Sequence, residues 1–168
     1  MGQADINDVV DYIIIKSDEG GVGLNFLKLQ KLLYYTQAWH LAFGKGPLFD
    51  GKFQAWIHGP VSRSVYDRFK DTHSLYDRVS AKDASKNPNI WALSEGARIH
   101  IDEILEAYAS LSGTQLESMT HNEQPWIVAR EGFRPSERCE REIDEDLMAH
   151  FYSDLLKASE SQDSPATR

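Results

Sequence analysis

The chain of 168 residues contains a single cysteine, Cys139. One cysteine cannot close an internal disulfide, and with the nearby histidines it does not supply the ligands of a structural zinc site. That scarcity points to a reducing compartment, so a cytoplasmic protein is expected. No apolar run approaches the roughly 20 residues needed to cross a bilayer, which argues against a membrane partner. Met1-Gly2-Gln3-Ala4-Asp5 has no basic stretch leading into an apolar one, so no secretory leader is expected. Ile6 stands where a myristoylation signal calls for Ser or Thr. Basic residues are scarce as well: 18 Lys and Arg against 26 Asp and Glu leave a net charge of −8. Such a chain repels phosphate backbones unless its cations gather on one face, which argues against nucleic acid.

Catalytic spacing is also lacking. No serine stands in a GxSxG elbow, and His121-x-Glu123 does not have the spacing of a helical HExxH zinc site. Cys139 lies in Glu137-Arg138-Cys139-Glu140-Arg141-Glu142, a charge run that reads as a solvated face with nothing to frame a nucleophile. No catalytic residue, metal or cofactor is therefore expected, and the chain reads as a protein that presents a surface rather than an enzyme.

What is present is aromatic. Three blocks stand out: Leu27 to Ala42 (LKLQKLLYYTQAWHLA), Phe53 to Val61 (FQAWIHGPV) and Thr120 to Arg130 (THNEQPWIVAR). Each sets a tryptophan beside histidine or arginine. Around them the periodicity predicts a mainly α protein: one compact helical bundle over 1–157 with a small two-stranded β element, then a disordered, polar tail over 158–168. A first helix spans 5–16, capped by Asp5 or Asn7, although its Ile13-Ile14-Ile15 run also suits a strand end. The strongest helix runs from Asn25 to Phe43, with Gly44 just past its end and an apolar stripe wide enough to be covered on more than one face.

Lys52–His58 alternates like a short strand, and Ile90–Leu93 is the run expected to pair with it. Pro60 is expected at the first turn of a helix reaching about Lys70. Ser94 caps a helix over 95–111, Thr114 to Glu117 has capping-box spacing, and Pro125 opens a helix closed by Gly132. The last helix begins at Asp144, with Leu147, Met148, Phe151, Leu155 and Tyr152 inward.

Weighed residue by residue, the blocks favour packing over chemistry. Tyr34, Tyr35, Trp39 and His40 are read as core, with His40 bonded to nearby backbone. His58-Gly59-Pro60 is read as a turn, with an anion held near Arg63 as the weaker reading. Glu123 is expected to cap the helix at Pro125, and Arg130 to pair with Glu123. A hydrolase would have to assemble His58, His121 and Glu123. A DNA-binding repressor would have to use Lys28, Lys31, Arg63, Arg68 and Lys70.

The three blocks, together with LFDGKFQAW and the Ile143-to-Tyr152 helix, resemble the Panacea-domain family of SocA-like antitoxins, also labelled phage-associated or GepA-like. The resemblance runs in order from about Leu24 to Tyr152, with Thr36 and Ser62 as small departures from the usual Ala and Pro. It implies a bacterial or phage-borne antitoxin that neutralises a partner toxin from the adjacent gene by direct protein binding. One branch of the family is associated with handing its toxin to the ClpXP protease as an adapter. The resemblance carries over no catalytic residue. It makes Trp39, Trp56, Gly59, Pro60, His121, Glu123, Pro125, Trp126 and Arg130 chiefly fold-defining. Arg63, Tyr66, Tyr76 and Trp91 are the candidate partner contacts, because aromatic and arginine side chains dominate interface energetics. An acidic antitoxin also suits a basic toxin through electrostatic steering.

Overall fold

The computed structural model describes residues 2–163. Its elements are α1 (Ile6–Glu19), α2 (Phe26–Ala42), β1 (Phe53–Trp56), β2 (Gly59–Ser62), α3 (Arg63–Phe69), α4 (Glu95–Tyr108), α5 (Gly113–His121), α6 (Gln124–Ala129) and α7 (Glu145–Asp163). The mainly α architecture with one two-stranded sheet is the one expected from the sequence.

α2 is the axis. Asn25 caps it, accepting from the Lys28 amide at 2.8 Å, and Gly44 leaves it at φ +76°. It packs against α1, α4, α5, α7 and β2, so nearly all of its length is buried, including Lys28, Gln30, Lys31, Thr36 and Gln37. Buried polar groups need partners, and these side chains serve as substitute backbone. Gln30 grips Ser62, accepting from its amide at 2.9 Å and donating to its carbonyl at 3.2 Å. Gln37 does the same for the 48–49 segment, accepting from the Leu48 amide and donating to the Phe49 carbonyl, both at 2.8 Å.

α1 is capped by Asp5, which accepts from the Asn7 amide, and it runs straight through the Ile13-Ile14-Ile15 stretch. Ile13 and Ile14 are fully buried, so tertiary burial outweighs their lower intrinsic propensity. α4 begins at Ser94 as expected. The box that opens α5 is Ser112 with Gln115 rather than Thr114 with Glu117.

The sheet corrects two expectations. β1 pairs antiparallel with β2, Phe53 opposite Ser62 and Trp56 opposite Gly59. Ile90–Ala92 is a single 3-10 turn instead of the partner strand. A hairpin closes with a two-residue connection, whereas pairing with residue 90 would close a long loop at greater entropic cost. Pro60 accordingly lies in β2, and α3 starts only after Ser62, whose hydroxyl accepts from the Val65 amide. Proline is tolerated there because Ala55, its opposite, turns its backbone away, donating to the Arg141 carbonyl at 2.8 Å. Pro60 faces a pair without ladder hydrogen bonds and costs none.

α7 crosses α2 with Met148 and Tyr152 buried, while Leu155, expected inward, is largely exposed. The helix continues to Asp163, past Ala158 where a polar tail is expected. The remaining tail residues, 164–168, lie outside those described.

Candidate functional site

The three aromatic blocks meet on the α2, α5, α6 and hairpin side of the molecule. Glu123 forms the first junction. It occupies the N-cap position of α6, but its side chain makes no cap hydrogen bond. The carboxylate turns into the core instead, accepting from Tyr35 Oη at 2.7 Å and Tyr152 Oη at 2.9 Å. Tyr34 Oη lies 3.1 Å from Tyr152 Oη. Tyr108 stacks on Tyr35 with centroids 4.5 Å apart and receives the Trp39 indole N–H at 2.7 Å. Burial raises the Glu123 pKa against the two tyrosine hydrogen bonds that lower it. Burial likewise pushes Tyr108 up to about 12 and holds Tyr34, Tyr35 and Tyr152 well above the usual phenol range. The expected cap is thus replaced by a closed aromatic network, in which two hydroxyl donors compensate the carboxyl group for the water it loses on burial.

Arg130 forms the second junction, and it does not pair with Glu123. Its guanidinium is buried and donates to the carbonyls of Ala55 at 2.9 Å, Arg134 at 2.8 Å and Glu137 at 2.6 Å, with Pro135 further off at 3.4 Å. Trp126 supports it, with the guanidinium carbon 5.1 Å from the ring, and donates its indole N–H to the Trp56 carbonyl at 2.9 Å. The side chain therefore ties α6 to β1 and to the 134–137 turn. A planar fork of donors suits several carbonyls better than one carboxylate at that position. Pro125 is buried at the start of α6.

The third junction is Gly59. Its φ of +99° belongs to the region glycine favours, and a Cβ there would lie 2.5 Å from Lys31 Cε and 2.9 Å from Thr120 Oγ1. Lys31 is fully buried and donates to the Pro60 carbonyl at 2.9 Å. Burial lowers its pKa to about 7, with Glu117 opposing the shift. His58 Nδ1 lies 3.1 Å from Glu117 Oε1. His121 stacks on Trp126 at 4.1 Å, and burial lowers its pKa.

The hydrolase constellation is therefore not assembled: His58 pairs with Glu117, His121 packs on an indole, and Glu123 faces tyrosines. Among the described residues no group of three or more His, Cys, Asp or Glu is placed to hold a metal ion. The candidate basic residues divide between the core and the surface, where Arg63 and Lys70 are exposed. Lys28 and Lys31 are buried in α2, and Arg68 is engaged with buried Asp11 at 2.7 Å. His40 donates from Nδ1 to the Gly46 carbonyl at 2.6 Å, as its reading required.

Beside these junctions opens a groove of about 540 Å³ between α3, the hairpin, the start of α2 and the 138–140 segment. Phe26 and Val61 contribute apolar walls. Trp56 and Tyr66 meet edge to face at 4.8 Å, and the Arg63 guanidinium lies 5.8 Å and 5.7 Å from their rings. Two of the candidate partner contacts, Arg63 and Tyr66, thus share one surface. Tyr76 is exposed just past Leu75 on the groove's border, while Trp91 is, among the described residues, the most exposed of the large apolar side chains and sits by Arg98 of α4 at 4.9 Å. Cys139 corrects the sequence reading: it is buried and lines this groove. Sequence reasoning also missed Glu140 and Asp67, which sit among the groove's arginines and lysine. Glu140 reaches Arg63 across 77 positions, whereas Asp67 stands four residues from Arg63 and three from Lys70, a helical charge spacing visible in the sequence.

The family described as "Antitoxin SocA-like, Panacea domain" matches residues 29–127, more than half of the chain and all three blocks except their outer ends. Antitoxin SocA of Caulobacter vibrioides (strain NA1000 / CB15N) is 29% identical over 138 residues, covering 76% of this chain and 71% of that protein. No solved structure matches significantly.

Proposed function

Because this chain belongs to the SocA-like antitoxin, Panacea-domain family, we propose that it is an antitoxin that neutralises a protein toxin by binding it directly. The observation that carries the reading is the division of labour among the aromatic residues. Two charged side chains of the family motif are occupied internally, Glu123 by tyrosines and Arg130 by carbonyls. The Trp56–Arg63–Tyr66 stack, by contrast, stands open on the groove. Tryptophan, tyrosine and arginine grouped at the edge of an apolar depression are the composition of a protein-binding hot spot. Binding of that kind needs no reaction centre, in keeping with a non-enzymatic regulator acting in the cytoplasm.

The test is to tag the protein in its native cell and identify what accompanies it by mass spectrometry. A single partner from the adjacent gene, toxic alone and harmless when co-expressed with this chain, is the expected outcome. Co-purifying protease subunits would add a role in delivering the toxin for degradation. A chain that emerges without any partner would overturn the reading.

A further inference from the structure

The groove differs in sign from the molecule that carries it. The chain has net charge −8, yet Arg63, Lys70 and Arg138 line the groove against one lining carboxylate, Glu140. Arg63 takes part in two pairings, one with Arg138 and one with Lys70, and each already holds a carboxylate of the chain itself. Arg63 and Arg138 converge on the same oxygen, Glu140 Oε1, at 3.3 Å and 2.7 Å. Arg63 and Lys70 converge on Asp67 Oδ1 at 3.4 Å and 3.5 Å. These pairs are solvent-exposed and individually weak, so an incoming carboxylate exchanges with them at little cost. Beside Arg63 lie the Trp56 and Tyr66 rings, and Phe26 and Val61 line the same groove, an apolar surface that suits an apolar side chain.

We infer that the groove docks an acidic segment of the partner protein, with carboxylates flanking a tryptophan or leucine anchor that packs against the Trp56 and Tyr66 rings. The assignment rests on the antitoxin reading for the identity of the partner but not for the chemistry of the site. Glu140 and Asp67 are the internal stand-ins: in the free protein they occupy the positions that the partner's carboxylates take in the complex. Cations spread over α3 and the 138 segment suit carboxylates distributed along a peptide rather than a single phosphate. The net negative charge elsewhere steers approach by complementary patches, while the groove sets which segment docks.

The experiment uses short fluorescein-labelled synthetic peptides carrying a central tryptophan or leucine flanked by aspartate and glutamate, with matched peptides in which lysine replaces every acid. Each is titrated with the full chain by fluorescence anisotropy. The acidic set is expected to bind and the lysine set not. Arg63→Ala and Lys70→Ala should each weaken acidic-peptide binding about tenfold.

Glu140→Gln removes a stand-in and should tighten binding about two- to fivefold, a gain that misfolding cannot produce. Glu106→Gln on α4 removes the same charge away from the groove and should leave binding near the wild-type value. Equal binding of both peptide sets, or equal effects of Glu140→Gln and Glu106→Gln, overturns the assignment. So does a single-stranded oligonucleotide that outcompetes the acidic peptides. Because the peptide titration contains no toxin, a captured partner without acidic-peptide preference removes the groove assignment alone. Acidic-peptide binding without any captured partner removes the antitoxin reading alone.

Discussion

Tyr35 and Glu123, 88 positions apart in sequence, are joined by a 2.7 Å hydrogen bond inside the protein. The bond links the middle of α2 to the turn between α5 and α6, and Tyr152 adds α7 to the same carboxylate. One acidic side chain thereby fixes the relative position of three elements that share no local sequence, and it does so away from the groove.

Glu123→Ala strands two buried tyrosine hydroxyls and should cost about 3 kcal/mol in a urea titration. Glu123→Gln keeps an acceptor and should cost less. The carboxyl's folded pKa is raised by burial, so the folded state holds the proton more tightly than the unfolded one. Its stabilising contribution is complete below the ordinary value of 4.5 and is lost as pH rises through the folded pKa. The advantage of wild type over Glu123→Gln should therefore shrink over the pH interval that opens above 4.5, the ordinary value. An advantage that grows over this interval contradicts the buried-carboxyl account.

Arg130 supports carbonyls of β1 and of the 134–137 turn. Removing it leaves several acceptors without donors, so Arg130→Ala should lose about 3 kcal/mol. Arg130→Lys should recover little of that, because an ammonium cannot reach divergent carbonyls as the planar guanidinium does. Matched stabilities of Arg130→Lys and wild type in chemical denaturation would show that charge alone matters at this position.

Gly59 combines a φ of +99° with a backbone pressed against Lys31 and Thr120. A methyl group there is strained by the dihedral and collides with a lysine that is itself fully buried. Gly59→Ala should cost about 2 kcal/mol, seen as a fall in Tm of about 4 to 8 °C. A thermal scan that superimposes on wild type would mean the hairpin turn relaxes freely.

Legibility in the sequence followed the range of the forces involved. α1, α2 and α4 were readable because caps and a 3.6-residue period are local, and Asp5 and Ser94 cap as their spacing suggests. The β2 strand was not, since Gly59-Pro60 followed by Val61 and Val65 carries the marks of a helix start. Its strand character comes from pairing with β1 and from Ala55 facing the 141–143 segment. Cys139 looked solvated because its neighbours in sequence are charged, yet its burial is decided by the groove walls. By spacing, Glu123 reads as the cap of the Pro125 helix and Arg130 as its ion-pair partner, but their true partners are remote tyrosines and carbonyls that no spacing rule supplies.

Lys31 offers a second titration. Burial lowers its pKa from 10.5 to about 7, so between these values the unfolded chain binds a proton that the folded chain has released. Stability contributed by this group therefore rises with pH from about 7 upward. The raised tyrosine values act in the opposite direction only near and above 10, the ordinary phenol value. Below that, wild type should gain on Lys31→Met as the solution is made more alkaline. If the two proteins keep a constant difference in denaturation free energy across this window, Lys31 retains its proton in the fold.

The exposed aromatics separate two surfaces. Trp91 is 76% exposed and touches Arg98 rather than the groove, so Trp91→Ala should change stability by less than about 0.5 kcal/mol. Tyr66 packs on Phe26 and Trp56 and lines the groove with Arg63. Replacing Arg63 and Tyr66 together by alanine should weaken capture of the co-purifying partner by at least about a factor of ten, with the loss in the dissociation rate. Trp91→Ala should leave capture intact. The reverse pattern in a surface-plasmon measurement, with Trp91 essential and the pair silent, would move the partner to the α4 side and remove the groove from the binding mechanism. Loss of capture in both variants would instead place the toxin across a surface wide enough to reach from α3 to Trp91, with Tyr76, also exposed, as the next position to replace.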